Sequence, residues 1–346
     1  MKVLIIGQFG IERFASHISQ NLDDMGHQTC NLEVSPLSNN SQKFLQRLNY
    51  IYENLEYSQR FFAKRLSAAI ERFSPDMIIS TYDYLTPSHV KNIKNQTSAP
   101  IVLWYPDSIA GFSKSYFMNA DYDFIFFKDP FIVMRFKDIL SSRVYYMPEC
   151  FNPIVHKQEN KFDIKKYCCD ITTAGNLHPY RIQFFKNLLD LGLDIKIWGF
   201  PPAKWSKWKT IQPLFQNKPV FDSEKVFAFQ SSKIVLNNLL YSEVYGLNVR
   251  AFEIAGSKAF QLIDYREGLR DLFQEGKEII SFSGLEDLKD KIKFYLNEPG
   301  LRKKISEAAY EAAISKHTYK HRLELIESTV FGNSQGYPSH ILERKC

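Results

Sequence analysis

Two short stretches of this 346-residue chain combine residue types that bind phosphate and sugar hydroxyls. The first is Gly175-Asn-Leu-His-Pro-Tyr-Arg181, which follows an apolar run at 170–174 and opens a helical pattern. At such a junction backbone N–H groups and the positive end of the helix dipole face an anion. Arg181 could add a two-pronged grip. A tight turn with a helix cap uses the same residue types, so both readings stand. The glycine spacing matches neither the P-loop nor the GxGxxG fingerprint, so neither ATP hydrolysis nor nicotinamide chemistry is indicated. The second stretch is Gly246-Leu-Asn-Val-Arg-Ala-Phe-Glu-Ile-Ala-Gly256, in which Asn248, Arg250 and Glu253 stand at the head of an otherwise apolar helix. Polar groups buried there need partners. Arg250 and Glu253, three apart, pair with one another in one reading. In the other, Glu253 accepts the hydroxyls of a ribose while Arg250 and the helix N-terminus hold a diphosphate.

A third candidate is Asp107, in the loop after the apolar run 101–104. There it could take a proton from an acceptor hydroxyl, as an inverting transfer requires. An Asp-Ser turn is the alternative. Glu12, Asp83 and His178 are weaker rivals for the same task. No DxD pair stands at a strand end where a divalent ion would bridge a diphosphate, and Asp23-Asp24 falls late in a helical pattern, so no metal is expected.

The elements that must position these residues follow an alternating order. Short apolar runs at 3–7, 77–80, 101–104 and 124–127 read as strands buried on both faces, with a helix at 11–25. Residues 43–73 carry Phe44, Leu48, Ile51, Leu55, Phe62, Leu66 and Ile70 at helical spacing. Arg47, Arg60, Lys64, Arg65 and Arg72 suit an anchor on anionic lipid, hence a peripheral membrane contact. Glu53, Glu56 and Glu71 make the polar face mixed in sign, which favours an ordinary surface helix. A polar stretch at 158–166 reads as a linker. Beyond it come strands at 170–175, 195–198, 233–236, 260–264 and 279–282, with helices at 181–191, 249–255, 285–296 and 301–315. This order predicts an α/β fold with a parallel sheet in each half. The expected domains are 1–160, joined by a C-terminal helix at about 316–330, and 166–315, with 332–346 a flexible tail. Ligands of such sheets bind beyond the carboxyl ends of the strands, which singles out the loops at 7–10, 81–86, 105–111, 175–181, 199–202 and 241–250.

Composition narrows the classes further. With 45% apolar and 24% charged residues the chain is neither disordered nor collagen-like. Five cysteines without metal-ligand spacing suggest reduced thiols. Only four apolar residues in a row precede Gly7, too few for a signal-peptide core or a membrane span, so a cytoplasmic protein is expected. Of the net charge of +6, five units fall after residue 157, where an anionic ligand is expected. No basic stripe with interleaved aromatics suggests nucleic acid.

Several runs resemble one family. Ile234-Val-Leu-Asn237, NVRAFEIAG (248–256), FQLID (260–264), LFQEGKEIISF (272–282), NEPGLRKKI (297–305) and HTYKHR (317–322) are similar to the carboxyl half of CgeB-like glycosyltransferases, part of the large GT-B group. PDMIIS, APIVLWYPDS, DYDFIFFKDP and YYMPECFNP resemble the amino half. The resemblance implies two Rossmann-like domains whose parallel sheets face across a cleft. It implies metal-independent, cofactor-free transfer of a sugar from a nucleotide-sugar donor, such as a UDP-sugar, to a glycan, lipid-linked or protein acceptor, at the inner face of the membrane in the lipid-linked case. By the same resemblance Glu253 binds the ribose and Gly175, Asn176, Arg181 and Arg250 surround the diphosphate, with Gly199, Asn237 and Asn248 completing the donor site. Two departures stand out. Related retaining enzymes carry Glu-x7-Glu, and the first position here is Tyr245. Many relatives have glycine where Lys258 stands. A sugar-nucleotide epimerase and a catalytically degenerate glycan-binding or surface-assembly module share this architecture and are the alternatives.

Overall fold

The computed structural model describes residues 1–34, 56–108, 111, 114–157 and 162–343. The chain divides into two compact units, Met1–Pro148 with Tyr319–Cys346, and Glu149–Thr318.

The first unit runs β1 (Lys2–Gly7), α1 (Phe14–Asp24), β2 (Gln28–Glu33), α2 (Glu56–Phe73), β3 (Met77–Thr81), α3 (Pro87–Gln96), β4 (Ile101–Tyr105), β5 (Phe124–Phe127), α4 (Pro130–Phe136) and β6 (Arg143–Tyr146). All six strands pair in parallel, in the order β2-β1-β3-β4-β5-β6. The inner strands β3, β4 and β5 are buried along their whole length, as their continuous apolar runs require. At the end of β1 a methyl group on Gly7 would lie 2.7 Å from the Ala15 Cβ and overlap the Thr81 hydroxyl. Glycine there lets the strand end close onto α1 and β3.

The second unit runs α5 (Ile164–Tyr167), β7 (Cys169–Ala174), α6 (Pro179–Lys186), β8 (Ile195–Trp198), α7 (Asp222–Gln230), β9 (Ser232–Asn237), α8 (Val249–Gly256), β10 (Gln261–Asp264), β11 (Ile280–Phe282), α9 (Leu285–Leu296) and α10 (Pro299–Lys316). Its five strands are parallel in the order β11-β10-β9-β7-β8. Two further helices, α11 (Tyr319–Phe331) and α12 (His340–Glu343), belong to the first unit. Arg322 of α11 is 1% exposed, donates through Nε to the Pro148 carbonyl at 2.9 Å, and lies 4.8 Å over the Tyr337 ring.

The structure departs from the sequence pattern in several places. The strands β2 and β6 lie at the sheet's two edges, where QTCNLE and RVYY need no continuous apolar run. Of the amphipathic stretch at 43–73, residues 43–55 lie outside the described residues. In the remainder Phe62, Leu66 and Ile70 pack into the core, as an ordinary surface helix would place them. The boundary between units falls at Pro148–Glu149, ahead of the polar linker, because Phe151 is committed to the second unit. Its ring occupies the space a Gly256 side chain would need, and its N–H bonds the His317 carbonyl at 3.0 Å. The tail at 332–346 is not loose over its described part, residues 332–343. Tyr337 donates its N–H to Tyr146 at 2.9 Å and sets its ring edge-on to Tyr146 at 5.8 Å. Ile341 is 4% exposed. Polar composition hid two apolar anchors. Among the described residues no helix is long and apolar enough to cross a membrane.

Ile341→Ala should destabilise the protein by about 2 kcal/mol, the lower range for emptying a buried isoleucine site. Urea denaturation measures it, and an unchanged midpoint would mean that the segment contributes no packing.

Candidate functional site

The carboxyl ends of β7 and β8 meet at two glycines. Gly175 takes φ +125°, a conformation that side chains rarely adopt, and its N–H bonds the Trp198 carbonyl at 2.9 Å. A methyl group on Gly199 would overlap the Gly175 carbonyl oxygen. One on Gly175 would overlap the Arg250 guanidinium and lie 3.4 Å from Arg181 Nη1. Two cationic side chains therefore converge on one bare stretch of backbone. Beyond it Pro179 starts α6 with its fixed φ, and His178, the residue before, makes no side-chain cap.

The two arginines arrive by different routes. Arg181, 4% exposed, donates Nε to Asn238 Oδ1 at 2.9 Å, Nη2 to the Asn238 carbonyl at 3.1 Å and Nη1 to the Asn176 carbonyl at 3.1 Å. Burial, and then Arg250 beside it, push its guanidinium well below the usual arginine range, against the pull of Asp264. The open two-pronged grip expected of Arg181 is not what the structure shows, because three of its five N–H donors are spent tying the 175–178 loop to the end of β9. Arg250 is the less committed cation. It donates Nη1 to Asn237 Oδ1 at 3.3 Å, and Asn237 and Asn248 exchange side-chain amide hydrogen bonds at 3.1 Å in each direction. Asn248 also caps α8, accepting the Ala251 N–H at 3.2 Å. One asparagine pair thus fixes both the helix start and the arginine that rises from its first turn. Burial lowers the Arg250 pKa, opposed by Glu253 and Glu243.

Glu253 does not pair with Arg250 among the described residues. Its Oε1 accepts Lys225 Nζ from α7 at 2.7 Å and lies 3.7 Å from His156 Nε2. All three side chains are buried. Residues 250 and 253 are neighbours along the helix, but Arg250 turns to the strand ends while Glu253 faces α7. Lys225 and His156 are participants that the motif reading missed. The available signal was Lys225 itself, a lysine beside Val226 in the buried stripe of a short helix. The loop 238–246 is held by Arg266, which donates to the carbonyls of Glu243, Leu240 and Tyr265. Asp264 accepts the Leu239 N–H at 2.7 Å, and burial raises its pKa.

Asp107 belongs to the first unit. It is exposed just beyond β4, and its Oδ1 accepts the N–H of its own neighbour Ser108 at 2.8 Å. Gly111 passes close above, where a methyl group would lie 2.9 Å from Asp107 Oδ2 and 3.1 Å from the Tyr105 hydroxyl. Asp83, at the end of β3, accepts the N–H groups of Tyr116 at 2.6 Å and Phe117 at 2.9 Å. Burial nonetheless lifts its pKa to about 6, since desolvation outweighs those two bonds and the attraction of Lys114. Both of its oxygens are engaged in holding the 116–117 turn.

Known proteins share this architecture. Residues 181–328 match the family model of a glycosyl transferase-like domain. The chain is 24% identical over 282 residues to the spore protein CgeB of Bacillus subtilis (strain 168), covering 72% of this chain and 81% of that protein. The chain carries a glycosyl transferase-like domain and is similar to CgeB over most of its length. Solved structures agree on the GT-B fold across 96% of the chain. A sucrose-phosphate synthase from Thermosynechococcus elongatus superposes with a TM-score of 0.67 at 11% identity, over 100% of its length. HepE of Anabaena, solved in complex with UDP-glucose, gives 0.65 at 13% identity over 99% of its length. In the CgeB-like chain the matched segment takes in Arg181, Asn237, Asn248, Arg250 and Glu253, whereas Gly175 and Asn176 precede it.

Two measurements probe these charges. Lys225→Met should cost about 3 to 5 kcal/mol by leaving Glu253 buried without its ammonium partner, while adding Glu253→Gln should recover part of that loss. Urea unfolding of the single and double variants reads the coupling, and additive losses would mean the pair does not hold Glu253. Asp83 titrates at about 6 in the folded protein, above its unfolded value, so the folded state binds the extra proton and stability falls as pH rises through that window. The stability of the wild type relative to Asp83→Asn should therefore drop by roughly 1 to 2 kcal/mol from pH 4 to pH 7, allowing for solvent screening. A flat difference would contradict the assignment.

Proposed function

We propose that this protein is a CgeB-like glycosyltransferase that moves a sugar from a nucleoside-diphosphate sugar, a UDP-sugar foremost, to a hydroxyl of a glycan, lipid-linked or protein acceptor, without a metal. The observation that carries the reading is the convergence of Arg181 and Arg250 on Gly175. Like charges held together beside side-chain-free backbone make a place where a diphosphate relieves repulsion. That HepE, with the same fold, is solved with UDP-glucose supports a uridine nucleotide. In this reading Gly175, Asn176 and Gly199 let the diphosphate approach the backbone, and Asn237 and Asn248 aim Arg250 at it. Glu253 accepts the ribose hydroxyls. As the bond between the sugar's anomeric carbon and the diphosphate oxygen breaks, charge grows on the leaving diphosphate, where preorganised cations stabilise it most. The acceptor oxygen forms the new bond to that carbon, and its proton passes to the Asp107 carboxylate in an inverting transfer. Nucleotide sugars being cytoplasmic metabolites, the proposed enzyme works there.

A binding-only role is the second reading, favoured by Tyr245 in place of the first carboxylate of the retaining pair and by the engagement of Glu253 with Lys225. Both readings predict nucleotide binding, and turnover separates them.

Glu253→Gln should weaken UDP binding roughly ten-fold or more by removing charge-assisted hydrogen bonds to the ribose. It should also narrow the preference for UDP over 2′-deoxy-UDP in calorimetric titration. Equal loss for both nucleotides would remove Glu253 from the ribose. Asp107→Asn should lower turnover by about 10² to 10⁴ with UDP affinity nearly unchanged, and wild-type turnover should persist in EDTA. Activity that vanishes with EDTA and returns with manganese would refute the metal-free clamp.

A further inference from the structure

Residues 199–221, which leave the carboxyl end of β8, contain Lys204, Lys207, Lys209 and Lys218 and no aspartate or glutamate. They fold into two 3₁₀ turns, Lys204–Ser206 and Trp208–Leu214, separated by Lys207 in the left-handed conformation at φ 51°. The two tryptophans turn opposite ways across that reversal. Trp208 packs edge-on to Phe215 at 5.4 Å and, with the fully buried Ile211, joins the core of the second unit. Trp205 is 74% exposed, and Phe200 at the start of the segment is 53% exposed. Lys218 is taken by Glu224 at 2.5 Å. Lys204, Lys207 and Lys209 are exposed, and none of the three forms an ion pair among the described residues. The fold makes no use of the Trp205 indole or of these charges.

We propose that this segment docks the protein on an anionic phospholipid surface, seating Trp205 at the headgroup level between Lys204, Lys207 and Lys209. An indole is apolar in body and polar at its N–H, which suits the boundary between headgroups and acyl chains. Long lysine stems let their ammonium groups reach lipid phosphates around it. One protruding tryptophan with flexible lysines and no arginine in the segment favours a bilayer over a nucleic acid, whose binders line a channel with stacking aromatics. β8 is the edge strand of its sheet, and Gly199, which begins the segment, is the glycine that abuts Gly175. A membrane held there lies beside the donor end of the sheet, which selects the lipid-linked class of acceptor. That last step rests on the proposed transferase reading; docking itself does not.

Cosedimentation of the whole protein with vesicles tests docking directly. Binding is expected to vesicles of one part phosphatidylglycerol to two parts phosphatidylcholine, weakening with salt, with little binding to phosphatidylcholine alone. Each lysine-to-glutamine change among Lys204, Lys207 and Lys209 should lower partitioning roughly five-fold, and Trp205→Ala by a similar factor or more. UDP affinity and the melting temperature should stay at wild-type values, because all four side chains are exposed. No binding to anionic vesicles, equal binding to neutral ones, or variants that bind like wild type would each overturn the proposal. So would tight binding of a single-stranded oligonucleotide that these variants lose while their vesicle binding persists. If vesicles bind but UDP does not, the docking surface stands and the donor reading falls.

Discussion

The close approach of Arg250 to Gly175 is the contact on which the rest of the second unit's site depends. Any side chain at 175 would displace the guanidinium, and its φ of +125° already demands glycine. The arginine in turn is aimed by Asn237, Asn237 by Asn248, and Asn248 is fixed by capping α8. Arg181 reaches the same place from α6 and is locked there by Asn238 and Asn176. Burial first, and then the neighbouring Arg250, disfavour the charge of Arg181. Structure kept at that cost is common where a ligand supplies the missing charge.

The parallel sheet makes this convergence cheap to build. With strands in the order β9-β7-β8, the loops after Asn237, Ala174 and Trp198 emerge side by side at one edge. Each is followed by a helix or a glycine, so N–H groups and helix dipoles accumulate at the same end without any side chain specified for the purpose. Sequence then needs only a few polar residues at the right heads. The same logic explains why polar residues such as Asn237 and Asn238 tolerate nearly complete burial, since each is bonded to another member of the network.

How much of this could be read in advance depended on whether a signal was local. The inner strands β3, β4 and β5 declared themselves because burial on both faces demands unbroken apolar runs. β2 and β6 did not, since an edge strand such as QTCNLE can alternate with polar residues. Within the site, strand-end position was enough to bring Gly175, Arg181, Asn237 and Arg250 together. Pairing was not legible. Spacing of three made Arg250 and Glu253 natural partners, yet Lys225 lies 28 residues before Glu253 and takes it, because α7 packs beside α8. Likewise Asp83 and Asp107 both follow strands, and only the folded turn at 116–117 shows that Asp83 is the more buried of the two.

The Lys225–Glu253 pair changes what a ribose contact at this position would mean. A bare carboxylate would have to be desolvated before it could accept two hydroxyls, whereas one already bonded to a buried ammonium has lost its water during folding. That cost falls on protein stability and not on the binding step, which leaves more of each hydroxyl contact visible as affinity. The arrangement also gives the direct contact of Glu253 to Lys225, so Arg250 forms no hydrogen-bonded ion pair with its own helix's carboxylate and feels it only through space. With Tyr245 replacing the first carboxylate of the retaining pair, no charged group at that position competes for the arginine either. Under the proposed function, donor affinity then resides in the diphosphate and the ribose, and discrimination among sugars falls to the neutral side chains around the 238–246 loop.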